Sequence, residues 1–200
     1  MTALLKLSAG VDALSHQIGR LIRWLVLASV LISAGNAIIR KLFNISSNAF
    51  LEIQWYLFAG VFLLGAGFAF MRNVHVRIDF ISGKLSKRTN TLIDIAGIVV
   101  FLIPLSLIMV WLSWPLFHNA WVSGEMSQNA GGLIRWPAYL LMPLGFGLLL
   151  IQALSELVKR IAFLRGLRDE PMSFESGKSD DELLAEELAA EAAKKLAGDK

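Results

Sequence analysis

The sequence has no cysteine and only three histidines among its 200 residues. Without cysteine the chain can form no disulfide, no thiolate metal site and no cysteine nucleophile. Haem ligation in a membrane protein needs histidines paired at matching depth, and His16, His75 and His118 do not offer such a pair. Glycine-rich phosphate loops and nucleophile elbows are also missing. We therefore expect no enzymatic activity, no cofactor and no metal centre in this chain.

Charge is scarce within four long apolar segments. Hydrophobic residues make up 56% of the chain, compared with roughly 45–50% in soluble domains. Crossing a hydrocarbon core of about 30 Å takes roughly 20 apolar helical residues. Residues 21–39, 50–71, 92–116 and 134–155 meet that length. The sequence therefore predicts an all-α integral membrane protein with four transmembrane helices.

The distribution of basic residues predicts the orientation of these helices. Lysine and arginine concentrate in short cytoplasmic loops. Five lie near or between the second and third spans: Arg72, Arg77, Lys84, Lys87 and Arg88. Others flank the start of the first span and follow the fourth, Lys159 and Arg160 among them, so both termini are predicted to be cytoplasmic. The same bias accounts for the formal net charge of +3, and we expect no nucleic-acid partner.

The two ends of the chain differ from the spans in composition. Residues 1–20 carry apolar side chains at steps of three and four, which predicts an amphipathic helix on the cytoplasmic membrane surface. The four spans occupy residues 21–164. Residues 165–200 are predicted to form a cytoplasmic linker and an acidic helix, which begins with a capping box at Ser179 and Glu182.

Polar and small residues interrupt the apolar character of the first two spans. One face of the first span carries polar residues at steps of four, three and four: Ser29, Ser33, Asn36 and Arg40. In lipid such a face favours hydrogen bonding to another helix, and small residues favour close helix packing. We predict that this face, together with Gly60 and Gly65 of the second span, packs against other helices or a partner protein.

Glu52 is the carboxylate nearest to the interior of a predicted span. An intramembrane carboxylate is a candidate proton or ion coupler, and a self-sufficient proton-coupled exporter built on Glu52 is one functional hypothesis. The alternative is structural, because helix N-termini favour negative side chains and Arg40 at the same outer end is a possible ion-pair partner. Trp55 suits the outer interfacial belt.

Three short motifs occur in order along the chain. The first, residues 48–58, reads Asn-Ala-Phe-Leu-Glu-Ile-Gln-Trp-Tyr-Leu-Phe, and the third, residues 131–137, reads Gly-Gly-Leu-Ile-Arg-Trp-Pro. The second has the order His-hydrophobic-Arg-hydrophobic-Asp and contains His75, Arg77 and Asp79. With the four spans, these motifs resemble the small permease subunit, the DctQ-like subunit, of the tripartite ATP-independent periplasmic (TRAP) transporters.

The resemblance implies a division of labour in a bacterial inner membrane. A periplasmic receptor captures an organic anion, a large permease subunit carries it inward with sodium, and the small multi-pass subunit is a scaffold. Expected partners are the large permease subunit, the receptor and membrane lipids. Candidate contacts in the outer loop before the fourth span are Glu125, Asn129, Arg135 and Trp136. A respiratory membrane anchor, a third hypothesis, would need haem or quinone ligands that the sequence does not offer.

Overall fold

A computed structural model of the chain describes residues 2–44, 47–73, 85–168 and 171. The predicted motif of His75, Arg77 and Asp79 and the predicted acidic helix lie outside these ranges. The described helices are α1 (Thr2–Phe43), α2 (Asn48–Arg72), α3 (Lys87–Gly97), α4 (Ile103–Ser123) and α5 (Trp136–Leu164).

Four stretches of helix are long and apolar enough to cross a membrane. They are Ala3–Phe43, Asn48–Arg72, Lys87–Ser123 and Trp136–Leu164. The third, called the third span below, joins α3 and α4 through a π-helical turn at Ile98–Leu102. For the described residues, the prediction of an all-α fold with four helices able to span a membrane is therefore confirmed.

Helix α1 is longer than the predicted first span. It runs without interruption for 42 residues, which corresponds to about 63 Å at 1.5 Å per residue. Within the predicted N-terminal helix of residues 1–20, residues 2–20 are therefore helical and continuous with the first span. No proline interrupts this stretch, and polar residues on its first turns bind α5, as described below.

The π-helical turn has a local cause in the sequence. Pro104 stands at the start of α4, lacks an N–H and would clash with the carbonyl four residues earlier in a regular helix. A π turn widens the helix by one residue. Here the N–H of Ile103 donates to the carbonyl of Ile98, five residues back, so the third span passes the proline without ending.

Helix α5 is the central element of the bundle and packs against α1, α2 and the third span. A third (33%) of its apolar window is buried, against at most 11% in the other spans. Gly145 permits close approach to α2, and Gly67 of α2 lies in ordinary contact with α5. A Cβ at Gly145 would lie 2.7 Å from the backbone oxygen of Leu63, and one at Gly67 would lie 3.5 Å from that of Leu148.

Helix α1 packs on α2 through small residues as well. A Cβ on Gly19 would lie 2.8 Å from the ring of Phe68. Gly60 and Gly65, which the sequence predicted to be packing positions, face Leu25 and Ile22 of α1 at 3.6 and 3.3 Å by the same measure. Both glycines therefore serve packing within the chain.

Candidate functional site: the two polar ends of the bundle

Glu52 fastens the loop between α4 and α5 to the start of α2. Its Oε1 accepts hydrogen bonds from the hydroxyl of Ser127 and from Nδ2 of Asn129, the latter at 2.8 Å. Its Oε2 accepts from the backbone N–H of Leu133 at 2.7 Å. Donors of the loop therefore occupy both oxygens of the carboxylate.

The predicted ion pair between Arg40 and Glu52 is not formed among the described residues. The hydrogen bonds of Glu52 all go to the loop, and the cation that acts on it electrostatically is Arg135 rather than Arg40. The physical reason is that neutral donors, including one backbone N–H, reach both carboxylate oxygens. That prediction was wrong about the partner and right about the position of Glu52 near a helix start.

Two further side chains of α2 bind the same loop. The amide of Asn48 donates to the carbonyl of Ala130 at 3.0 Å, and the hydroxyl of Tyr56 donates to the carbonyl of Ile134 at 3.2 Å. With Glu52 between them, these residues recur at steps of four, so they lie on one face of α2. Sequence analysis missed both, although the four-residue spacing was visible.

The loop has a backbone structure of its own. Met126 and Ile134 form an isolated antiparallel bridge, and the N–H of Ser127 donates to the carbonyl of Leu133 at 2.9 Å. A Cβ at Gly132 would lie 2.5 Å from that of Ser127, so the turn closes tightly only with glycine there. Side-chain and backbone bonds together make the loop a defined surface feature.

The predicted loop residues lie at the base of this loop. Glu125 and Arg135 form an ion pair of 2.7 Å with both side chains about two-fifths exposed (41% and 38%). The hydrogen bond to Glu125 raises the pKa of Arg135 above its usual value, so the arginine stays charged. Its guanidinium lies 5.7 Å from the ring centre of Tyr139, and Trp136 packs edge-on against Trp121 with ring centres 4.5 Å apart.

The predicted polar face of α1 borders an open groove between α1 and α2. The groove has a volume of about 620 Å³ and is lined by residues that include Ser33, Asn36, Arg40, Lys41, Leu51 and Gln54. Ser29, deeper on the same face, is buried, and its hydroxyl has no hydrogen-bond partner within the described ranges. A smaller cavity of about 280 Å³ lies on the other side of Leu51, beside Glu52 and Trp55.

At the opposite, predicted cytoplasmic end, a network of charged side chains is buried among three elements. Nζ of Lys159, with a side chain 1% exposed, donates to the two carboxylate oxygens of Asp12 at 2.8 and 2.9 Å and to Glu156 at 2.5 Å. Asp12 belongs to α1 and the other two residues to α5. Lys159 therefore links α1 to α5.

Arg160 extends this network to the third span. Its Nη1 donates to the second carboxylate oxygen of Glu156 at 2.5 Å, and its Nε approaches Asp94 of α3 at 3.4 Å. Glu156 thus bridges two cations, which offsets the cost of burying it. Sequence analysis used Lys159 and Arg160 only to predict the orientation of the spans and did not predict that they are buried.

Neutral side chains complete the contact between α1 and α5. Gln152 donates to Asp12 at 3.0 Å and accepts from the hydroxyl of Ser15 at 2.7 Å. The hydroxyls of Ser8 and Ser155 lie 2.6 Å apart. Every polar group in this interface has a partner, as burial in a low-dielectric environment requires. The polar side chains at both ends of the bundle hold helices and loop together. No cluster able to hold a metal ion occurs among the described residues.

The comparisons with known proteins agree with this arrangement. A family model described as "Tripartite ATP-independent periplasmic transporters, DctQ component" matches residues 29–163. Searches of curated proteins and of solved structures gave no match. The matched range covers well over half of the chain and includes the polar face of α1, the Glu52-anchored loop and most of α5. The chain therefore belongs to the DctQ family, the small membrane subunit of TRAP transporters, and is a transporter component rather than an enzyme.

Proposed function

We propose that this chain is the scaffold subunit of a sodium-coupled TRAP transporter for organic anions in a bacterial inner membrane. In this role it binds the large permease subunit, which carries solute and ions, and its outer loop helps to dock the periplasmic receptor. The observation that carries the proposal is the state of Glu52. This carboxylate is committed to fastening a loop. The other carboxylates of the described spans, Asp12, Asp94 and Glu156, belong to the ion-pair network at the predicted cytoplasmic end of the bundle.

A coupling subunit would need ion or proton ligands that change state near the middle of the membrane. The middle of the described spans carries serine and small residues but no carboxylate. Those of its glycines that have a neighbour within 4 Å serve contacts between α1, α2 and α5. This distribution favours a subunit that supports transport over one that performs it.

The outer loop has properties suited to a docking surface. Three side chains of α2 hold it, so little conformational entropy remains to be lost when a partner binds. Beside it, the 280 Å³ cavity is bounded by Asn48, Leu51, Glu52, Trp55 and Asn129, with Trp55 largely exposed. An exposed aromatic ring next to a cavity is a common anchor point in protein interfaces.

Reconstitution in liposomes tests the proposed function. The chain is combined with its large permease subunit, the receptor and solute are added, and uptake is measured with each component omitted. We expect that uptake requires both membrane subunits and that this chain alone moves no solute. Glu52→Gln should leave the sodium dependence of uptake unaltered even where the rate falls. Proton-coupled flux through this chain alone, lost on Glu52→Gln, would establish the exporter hypothesis instead.

A further inference from the structure

The groove between α1 and α2, called the α1–α2 groove below, carries an unbalanced positive charge. Arg40 and Lys41 are both exposed at its rim, and neither has an ion-pair partner among the residues that the structure describes. Glu52, the carboxylate on the facing helix, is occupied by the loop. The positive-inside bias disfavours cations at this predicted outer end, so an anionic group from another molecule would fit here.

The polar character of the groove continues below the rim. At 1.5 Å per residue, Asn36 lies about 6 Å and Ser33 about 10 Å deeper than Arg40 along the helix axis. Gln54 faces them from α2. Lipid headgroups stay at the surface, and acyl chains offer no hydrogen-bond partner at such depths. A protein helix with polar side chains offers hydrogen-bond partners at these depths.

We propose that the α1–α2 groove receives a transmembrane helix of the large permease subunit that carries a carboxylate at its outer end. The carboxylate pairs with Arg40 and Lys41, and polar side chains of that helix meet Asn36 and Ser33. The proposal rests on the proposed function, because it presupposes the large subunit as the partner. It specifies which face of this chain contacts the large subunit and which side-chain types of that subunit contact it.

Single spin labels test the occupancy of the groove, since the chain has no native cysteine. Asn36→Cys places a label in the groove, and Ile38→Cys is the matched control. Ile38 is 57% exposed, lies at nearly the same depth and points about 200° away around the helix. On assembly with the large subunit, the label at position 36 should lose mobility and oxygen accessibility while the label at position 38 keeps both. A label at position 36 that does not respond to assembly would overturn the proposal.

Charge substitution tests the predicted pairing. Arg40→Glu should weaken association of the two membrane subunits by about tenfold or more, and Arg40→Lys should largely retain it. Changing the matching carboxylate of the large subunit to lysine should restore association with Arg40→Glu. If Arg40→Glu leaves association intact and instead removes a bound anionic phospholipid, seen by native mass spectrometry of the complex, the occupant is lipid and the proposal fails. Uptake by the wild-type complex tests the proposed function separately from all these outcomes.

Discussion

Glu52 holds the outer loop through three donors, so its charge should control the order of that loop. In Glu52→Gln the amide group offers one acceptor oxygen and one donor nitrogen, and the nitrogen cannot accept from Leu133 or Ser127. We expect the backbone N–H of Leu133 to exchange hydrogen about tenfold faster. Hydrogen exchange with mass spectrometry of the peptide covering the loop measures this.

Glu125→Gln is the matched control for that experiment. It breaks the exposed pair with Arg135 in the same loop, and exposed pairs contribute little to stability. Exchange at Leu133 should stay close to that of the native chain. Equal acceleration by the two substitutions would contradict the assigned role of Glu52.

The buried network predicts a large effect from a single lysine. Lys159→Met removes the ion pairs of Lys159 with Asp12 and with Glu156, and breaking a buried ion pair typically costs about 3–5 kcal/mol. The free energy of unfolding in detergent should fall by that order. Adding Asp12→Asn to Lys159→Met should recover part of the loss, because one of the two carboxylates that bound Lys159 is then neutral.

Arg165→Gln provides the comparison for Lys159→Met, since Arg165 is exposed at the same end of the bundle. Its effect should stay within about 0.5 kcal/mol. A Lys159→Met protein as stable as the native chain would show that the network does not hold α1 to α5.

Sequence analysis located single charged residues but not their partners. Glu52 was expected near a helix start because the apolar run begins there, yet its partners lie 75 to 81 residues further along the chain. Asp12 and Lys159 are 147 residues apart. The pattern of charges along a sequence cannot show which basic side chains point into the bundle. For this reason Lys159 was used only to predict the orientation of the spans.

At the scale of helices, the crossing of α2 and α5 depends on one glycine. The Cβ of Gly145→Ala would lie 2.7 Å from backbone atoms of Leu63, which cannot move like the end of a side chain. We expect a loss of about 1–3 kcal/mol of stability from the forced separation of the helices. Thermal or denaturant unfolding in detergent measures it.

Gly147→Ala is the internal control for this substitution. It lies two residues further on the same helix, and its Cβ would meet nothing within 4 Å. Alanine there should be neutral or stabilising by up to about 1 kcal/mol, because glycine is the weaker helix former. Equal destabilisation by the two alanines would remove close packing as the explanation.

The four helices were predictable because hydropathy measures the cost of crossing a membrane directly. The ends of these helices were less predictable, because a helix continues wherever its polar side chains find partners. Helix α1 begins at Thr2 instead of near Leu21, and Ser8, Asp12 and Ser15 are the residues that dock its first turns on α5. An amphipathic pattern alone does not distinguish a membrane surface from the surface of another helix.

At the scale of the whole molecule, much of the surface is apolar. Bulky side chains of several spans are mostly exposed: Trp24, Phe62, Phe101 and Trp111. In water this surface would favour aggregation, whereas lipid and partner helices accept it. This surface suits a chain that is surrounded by lipid and partner helices, in agreement with its family.

The orientation of the molecule is a prediction that cysteine labelling can check. Gln128→Cys lies in the outer loop without disturbing the bonds of Glu52, and Leu167→Cys lies beyond α5, where it is exposed. With both termini cytoplasmic, an impermeant maleimide should label position 128 in intact cells and position 167 only after lysis. The reverse pattern would show that the topology is inverted.

The contact between the first turns of α1 and α5 also constrains when the bundle can close. Synthesis proceeds from the N-terminus, so Asp12 emerges well before Lys159, its partner 147 residues later. Until α5 is inserted, the ion pair between Asp12 and Lys159 cannot form. Insertion of α5 therefore completes the contact that holds the first turns of α1, and a chain truncated before α5 would lack that contact.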